Sequence, residues 1–185
     1  MSRLGKKPIN IPQDVEVKLE NNILKIKGPK GEEQVNVPQD FDILLDGGLI
    51  KITPNFSRRM KQKQLFEQWG TIRSLIQNAV IGVKDGFAKK LEVNGVGYKA
   101  EKDNDNLVLK IGYSHPVILK IPEGLDVSIE KNIITVSGVS KEKVGLFAAL
   151  IKRQKPVEPY QGKGIKYQGE YVRRKVGKKM ASTSG

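Results

Sequence analysis

The chain holds a single histidine, His115, and no cysteine. Disulfides, thiol nucleophiles and thiolate metal sites are therefore excluded, and multi-histidine metal sites with them. His115 lies in Gly112-Tyr113-Ser114-His115-Pro116, a turn-forming run where an imidazole more often satisfies local hydrogen bonds than serves as a base. The carboxylates fall in turns and on the polar sides of strands, and no spacing pairs two of them for acid–base work. Gly28-Pro29-Lys30-Gly31 and Gly162-Lys163-Gly164 have the look of phosphate loops. Neither has the length of a Walker motif or its Lys-Ser/Thr ending. Asn94-Gly95-Val96-Gly97-Tyr98 sits between two strand-like runs and opens no helix, so it is a tight turn or bulge and not a dinucleotide fingerprint. No catalytic residues, metal, cofactor or small-molecule substrate are expected.

The chemistry that is present is cationic. Lys plus Arg number 33 against 20 Asp plus Glu in 185 residues, a formal charge of +13. Residues 1–82 carry a net +4, residues 83–151 a net +1, and residues 152–185 a net +8. A charge run by itself is often a solubility device. This one, between Lys155 and Lys179, interleaves its cations with Tyr160, Tyr167 and Tyr171 and with Gly162, Gly164 and Gly169. Cations neutralise phosphates, planar rings stack on bases or riboses, and glycines let backbone N–H groups approach an anion closely. A solubility tail needs neither rings nor glycines, so nucleic acid is the leading partner. The segment from Pro156 onward also has too few apolar residues to fold alone, and the expectation is that it is mobile without its nucleic acid.

Small elements must position this segment. Val15, Val17 and Leu19 alternate with polar residues, as do Leu24 and Ile26 after Asn21-Asn22, which reads as a hairpin through a left-handed turn. Ile43/Leu45 and Ile50/Ile52 flank a second turn, Asp46-Gly47-Gly48. The period then changes. Leu65, Phe66, Trp69, Ile72, Leu75, Ile76, Ala79, Val80 and Val83 recur at steps of three and four, an amphipathic helix whose rings belong to a core. Further on, Leu91/Val93, Tyr98/Ala100, Leu107/Leu109, Val117/Leu119, Val127/Ile129 and Ile134/Val136 alternate as strands, and Val144, Phe147, Ala148 and Ile151 mark a shorter helix.

The second half thus repeats the first. An ungapped offset of 84 lays Val37–Pro54 on Ile121–Gly138 with apolar positions in phase, and both segments run into their helix. A rival offset of 110 lays Ile11–Glu32 on Ile121–Glu142 with eight identities, but only one of its two segments precedes a helix, so it reads as a recurring hairpin sequence. The expected fold is α+β: two similar small domains, each an antiparallel sheet packed against one helix, arisen by duplication. The domains are placed at 1–82 and 83–155, with a basic RNA-binding extension at 156–185. No apolar run approaches the ~20 residues that cross a bilayer and Met1–Asn10 has no signal core, so a soluble, intracellular protein without a membrane partner is expected.

Glu158-Pro159-Tyr160-Gln161-Gly162-Lys163-Gly164-Ile165-Lys166-Tyr167, followed by Arg173-Arg174-Lys175-Val176-Gly177-Lys178, closely resembles the C-terminal signature of the sixth large-subunit ribosomal protein family, bacterial or organellar type. Met1–Lys6, Arg73-Ser74-Leu75-Ile76, Gly95-Val96-Gly97-Tyr98 and Gly112–Pro116 match its other landmarks in order. Where the family usually has Lys after the signature Tyr, this chain has Gln161. The resemblance implies a structural constituent of the large ribosomal subunit that binds large-subunit ribosomal RNA near the stalk base and factor-binding region. It implies neighbouring large-subunit ribosomal proteins as partners, and a location on ribosomes in bacterial cytoplasm or in an organelle that encodes it. The RNA-binding residues it points to are Lys155, Tyr160, Gly162, Lys163, Gly164, Lys166, Tyr167, Arg173, Arg174, Lys175 and Lys178. A nucleic-acid-binding module outside the ribosome would share the same charge distribution.

Overall fold

Each half begins with hairpins whose turns the sequence places well. Asn21 and Asn22 take φ of 46° and 65°, the left-handed pair that a two-residue turn requires between right-twisted strands. They join β2 (Glu16–Glu20) to β3 (Ile23–Gly28), and Pro29-Lys30 turns β3 into β4 (Gly31–Asn36), giving an antiparallel meander β2-β3-β4. Gly47 and Gly48, at φ of 54° and 82°, turn β5 (Phe41–Asp46) into β6 (Leu49–Pro54), and the short β1 (Ile9–Asn10) pairs with β6 to complete a second sheet. Helix α1 (Gln62–Lys84) spans the amphipathic run. The computed structural model describes residues 3–55, 62–175 and 177.

The strand faces that alternate inward meet the apolar stripe of α1. Leu24, Ile26, Ile50 and Ile76 are fully buried, together with Val83 at the helix end. Trp69 belongs to this core, 6% exposed, and satisfies its one polar atom by donating Nε1–H to the Ile52 carbonyl at 2.9 Å. That bond removes the cost of burying an indole N–H.

The second half uses the same plan. The meander β8 (Lys99–Asp103), β9 (Asn106–Lys110) and β10 (Val117–Lys120) corresponds to β2-β3-β4, and the hairpin β11 (Leu125–Glu130) and β12 (Ile133–Gly138) corresponds to β5-β6. The offset of 84 carries β5 and β6 onto β11 and β12 residue for residue. The offset of 110 instead superposes a meander hairpin on the hairpin before the helix, so the first offset is the duplication. β7 (Phe87–Asn94) stands where β1 stands, and α2 (Lys141–Gln154) closes the unit. The α+β duplicated class therefore holds, with the strands of each unit divided between two sheets. Alternation identifies strands and turns, but which hairpins share a ladder is decided by packing.

The chain separates into two compact units, Met1–Phe87 with Gly138–Glu142, and Ala88–Ser137 with Lys143–Gly185. The return of 138–142 to the first unit has a local cause: a Cβ on Gly82 of α1 would collide with the Val139 carbonyl, so the chain lies flat against the helix there. One further strand has no counterpart among the described residues of the first unit. β13 (Gly164–Tyr167) adds antiparallel to β7, extending the sheet to β11-β12-β7-β13. No helix among the described residues is long and apolar enough to cross a membrane.

Candidate nucleic-acid interface

The cationic segment starts at the end of α2. Val144, Phe147, Ala148 and Ile151 bury one face of this helix, while Lys152 and Arg153 in its last turn complement the negative end of the helix dipole. The Tyr113 hydroxyl donates to the carbonyl of Gln154 at 2.9 Å, satisfying one of the orphan acceptors there. The same ring lies under the ammonium of Lys155, 4.6 Å from its centroid.

Beyond the helix the chain is tied down at several points. Ile165 donates its N–H to the Lys155 carbonyl at 2.8 Å, Glu158 to the Lys163 carbonyl at 2.8 Å, and Gly162 to the Glu158 carbonyl at 3.1 Å. Residues 158–163 therefore form a closed loop that delivers the chain into β13. Ile165 is fully buried. Gly164 has φ of 138°, and a Cβ there would lie 2.7 Å from both the Pro156 carbonyl oxygen and the Val157 Cα. Within the stretch from Pro156 onward, expected to be mobile without RNA, the structure places Gly164–Tyr167 in β13. A single buried isoleucine and a ladder on β7 anchor what composition describes as polar tail. Past β13 the chain doubles back, and Lys175 donates its N–H to the Pro159 carbonyl at 2.9 Å.

The cations divide into two groups. Lys166 pairs with Glu92 across the β13–β7 ladder at 3.0 Å, with both side chains about one-quarter exposed. Lys152 pairs with Glu170 at 2.6 Å, and the Tyr167 backbone N–H donates to the same carboxylate at 3.0 Å. The Lys152 hydrogen bond, then that N–H, hold the Glu170 carboxyl below its ordinary value. The Tyr167 ring is engaged by the ammonium groups of Lys152, at 4.6 Å, and Lys89, at 5.5 Å. These groups build the platform. Arg153, Lys163, Arg173, Arg174 and Lys175, by contrast, carry no ion pair among the described residues. Tyr160 is 54% exposed and Tyr171 89% exposed beside them.

Of the expected binding residues, Lys155, Gly162, Lys163, Arg174 and Lys175 are drawn together by the hydrogen bonds of this loop and the Arg174–Gly162 contact, with Tyr160 and Arg173 next to them in the chain. Gly162, at φ of 75°, lies under the Arg174 guanidinium, and both line a groove of about 360 Å³ with Asn94, Val157, Lys166 and Tyr171. Lys166 and Tyr167 are turned into the platform by their partners, and Gly164 owes its missing side chain to backbone packing. Lys178 lies outside the described residues. Several participants are not among the expected residues, Glu92, Lys152, Arg153, Glu170 and Tyr171 among them, and two more support the platform. Tyr113 supports both the helix end and Lys155, and Lys89 covers Tyr167. The first could have been read from its place in the Gly112–Pro116 landmark, whereas nothing in the local sequence signals Lys89. His115 is exposed on the loop between β9 and β10. Among the described residues no cluster of three His, Asp or Glu could hold a metal ion.

A second, independent reading of the duplication comes from comparison with known proteins. The family described as Ribosomal protein L6 matches the chain twice, over residues 11–86 and 94–168. The chain belongs to the ribosomal protein L6 family. Its two matched stretches begin 83 residues apart, in step with the repeat of sheets and helix. Relatives similar over nearly the whole length include the large ribosomal subunit protein uL6 of Staphylococcus saprophyticus, 46% identical over 96% of this chain and 98% of the relative. The protein of the same name from Campylobacter hominis is 43% identical over the same shares. The large ribosomal subunit protein uL6c of Guillardia theta is 42% identical, again over 96% and 98%. The L6 family is one of structural, non-enzymatic proteins.

Proposed function

We propose that this L6-family chain is a structural constituent of the large ribosomal subunit that binds large-subunit ribosomal RNA through the cationic end of its second unit. The observation that carries this reading is that Lys163, Arg174 and Lys175, held to one loop by the Glu158–Lys163 and Lys175–Pro159 hydrogen bonds and the Arg174–Gly162 contact, have no carboxylate partner among the described residues, with Tyr160 and Tyr171 exposed in the same stretch. Guanidinium groups bind phosphate oxygens in pairs, and the tyrosines supply stacking surfaces for unpaired bases or riboses. Most contacts go to phosphate and 2′-hydroxyl, so shape is read more than sequence. β13 holds this chain against a sheet, which lowers the entropy lost on binding. The protein then acts as a clamp that fixes the relative geometry of RNA helices. The resemblance of Glu158–Lys178 to the family signature supports a place near the stalk base and factor-binding region, among other large-subunit proteins.

The test compares Lys163→Ala/Arg173→Ala/Arg174→Ala with Lys18→Ala/Lys25→Ala/Lys27→Ala in the full chain. Lys25 is already paired with Glu20 at 2.6 Å on the exposed face of the first meander. The first variant should lose about 3 kcal/mol of RNA affinity, at about 1 kcal/mol or more per charge-assisted contact, and the second little. The first variant should also fail to cosediment with large subunits through a high-salt wash. Equal losses in the two variants would overturn the assignment. Wild-type protein that binds RNA but washes off the subunit would point to a module outside the ribosome.

A further inference from the structure

The outer edge of β4 in the first unit is open. The two-residue turns at Asn21-Asn22 and Pro29-Lys30 make Glu20/Ile23 and Gly28/Gly31 the hydrogen-bonded pairs beside each turn. Alternation then sends the backbone groups of Gly31, Glu33 and Val35 toward β3 and those of Glu32, Gln34 and Asn36 outward. No strand lies beyond β4 in its sheet, and no backbone partner among the described residues takes up the outward groups. An unpaired edge of six residues is a template for another strand unless something blunts it.

Two grooves adjoin this edge and share Asn36 and Leu75. One, of about 440 Å³, is lined by Glu33, Gln34, Asn78, Ala79 and Glu142, and the other, of about 360 Å³, by Pro38, Glu67 and Ile72. Together they run along α1 from Glu67 to Ala79, roughly 18 Å at the rise of an α-helix. That length accommodates about five or six extended residues. The floor is apolar, with Leu75 45% exposed. The rim is acidic. Glu33, Glu67 and Glu142 carry no ion pair among the described residues. Among the described lining residues the one cation is Lys141, 3.2 Å from the Asn78 side-chain oxygen and 5.6 Å from the Phe87 ring, so the lining sets three carboxylates against one ammonium. In a chain of net charge +13, a groove of this sign repels phosphate and attracts cations.

We infer that this groove docks an extended, basic polypeptide segment of another protein, added to β4 as a further strand. Main-chain bonds to Glu32, Gln34 and Asn36 supply affinity, every second side chain of the segment meets Leu75 and Ala79, and lysines or arginines between them reach the three carboxylates. The interaction is separate from RNA binding by the second unit and does not depend on it.

The probe is an end-blocked peptide of alternating lysine and valine, titrated into the full chain and followed by amide NMR shifts. Saturable shifts confined to Glu32–Asn36 and Leu75–Ala79 are expected, with no such response to the glutamate–valine counterpart. Gln34→Pro removes one outward N–H while leaving the β3 ladder untouched, and should weaken binding about five- to tenfold. Glu67→Lys/Glu142→Lys changes exposed helical positions away from the strand, and should weaken it comparably and flatten its salt dependence. Absence of saturable binding, equal binding of the glutamate–valine peptide, unchanged affinity in both variants, or the same shifts on adding a short RNA would each overturn the inference.

Discussion

Gly164→Ala tests whether the cationic segment depends on its anchor. The backbone there has φ of 138°, and the new methyl would sit 2.7 Å from the Pro156 carbonyl oxygen, 2.7 Å from the Val157 Cα and 2.9 Å from the Lys155 carbonyl oxygen. All three neighbours are backbone, so no side chain can rotate away. Gly169→Ala is the matched control, because φ is 80° and nothing lies within 4 Å of the added methyl. Left-handed strain alone costs about 1 kcal/mol in the control. Strain plus overpacking should cost about 2–4 kcal/mol at Gly164, limited by the energy of detaching β13. The excess of about 2 kcal/mol corresponds to a Tm lower by roughly 4–8 °C. Amide exchange should show lost protection at Ile165, Tyr167 and Gln168, whose N–H donates to the Lys90 carbonyl, while the first unit stays protected. RNA affinity should fall with little change in its salt dependence, since no charge is removed. Matching Tm and exchange in the two alanine variants would refute the claim that the close fit of Gly164 holds the segment in place.

On the proposed interface the six cations Arg153, Lys155, Lys163, Arg173, Arg174 and Lys175 would contact phosphates, and filter binding should then give a log–log salt slope of roughly −4 to −5; a slope near zero would remove the electrostatic basis. Lys166→Ala should lower RNA affinity much less than Arg174→Ala, because Lys166 is held by Glu92 at 3.0 Å, and its larger effect should be on Tm. An equal drop in affinity would place Lys166 on the RNA. Because Glu170 is held below its ordinary 4.5 by Lys152, its contribution to stability is complete above that pH and is lost as pH falls through the lower folded value. Thermal melts below pH 4.5 should therefore fall less steeply for Glu170→Gln than for the wild type, and parallel curves would contradict the pairing.

Much of the molecule is legible one stretch at a time. A two-residue Asn-Asn turn needs left-handed backbone, and a step of three or four in Leu65–Val83 suits only a helix with one buried side. The same local rules expose the duplication, because an offset that keeps alternation in phase must carry strand onto strand. The concentration of charge after Lys152, and its rings and glycines, are also plain in the sequence and point to nucleic acid before any fold is known. What local pattern cannot hold is pairing between distant residues. Ile165 is one apolar residue in a cationic run, and only its place beside Val93 on β7 turns a polar tail into a strand. Lys166 and Arg174 carry the same formal charge, yet Glu92 neutralises the first and nothing among the described residues neutralises the second. The acidic groove depends in the same way on Glu33, Glu67 and Glu142, which are far apart in the chain and are gathered only when α1 packs on β4 and the 138–142 segment returns to its unit. Secondary structure follows from near neighbours, but the electrostatic surface is set by which charges meet, and that is decided only in three dimensions.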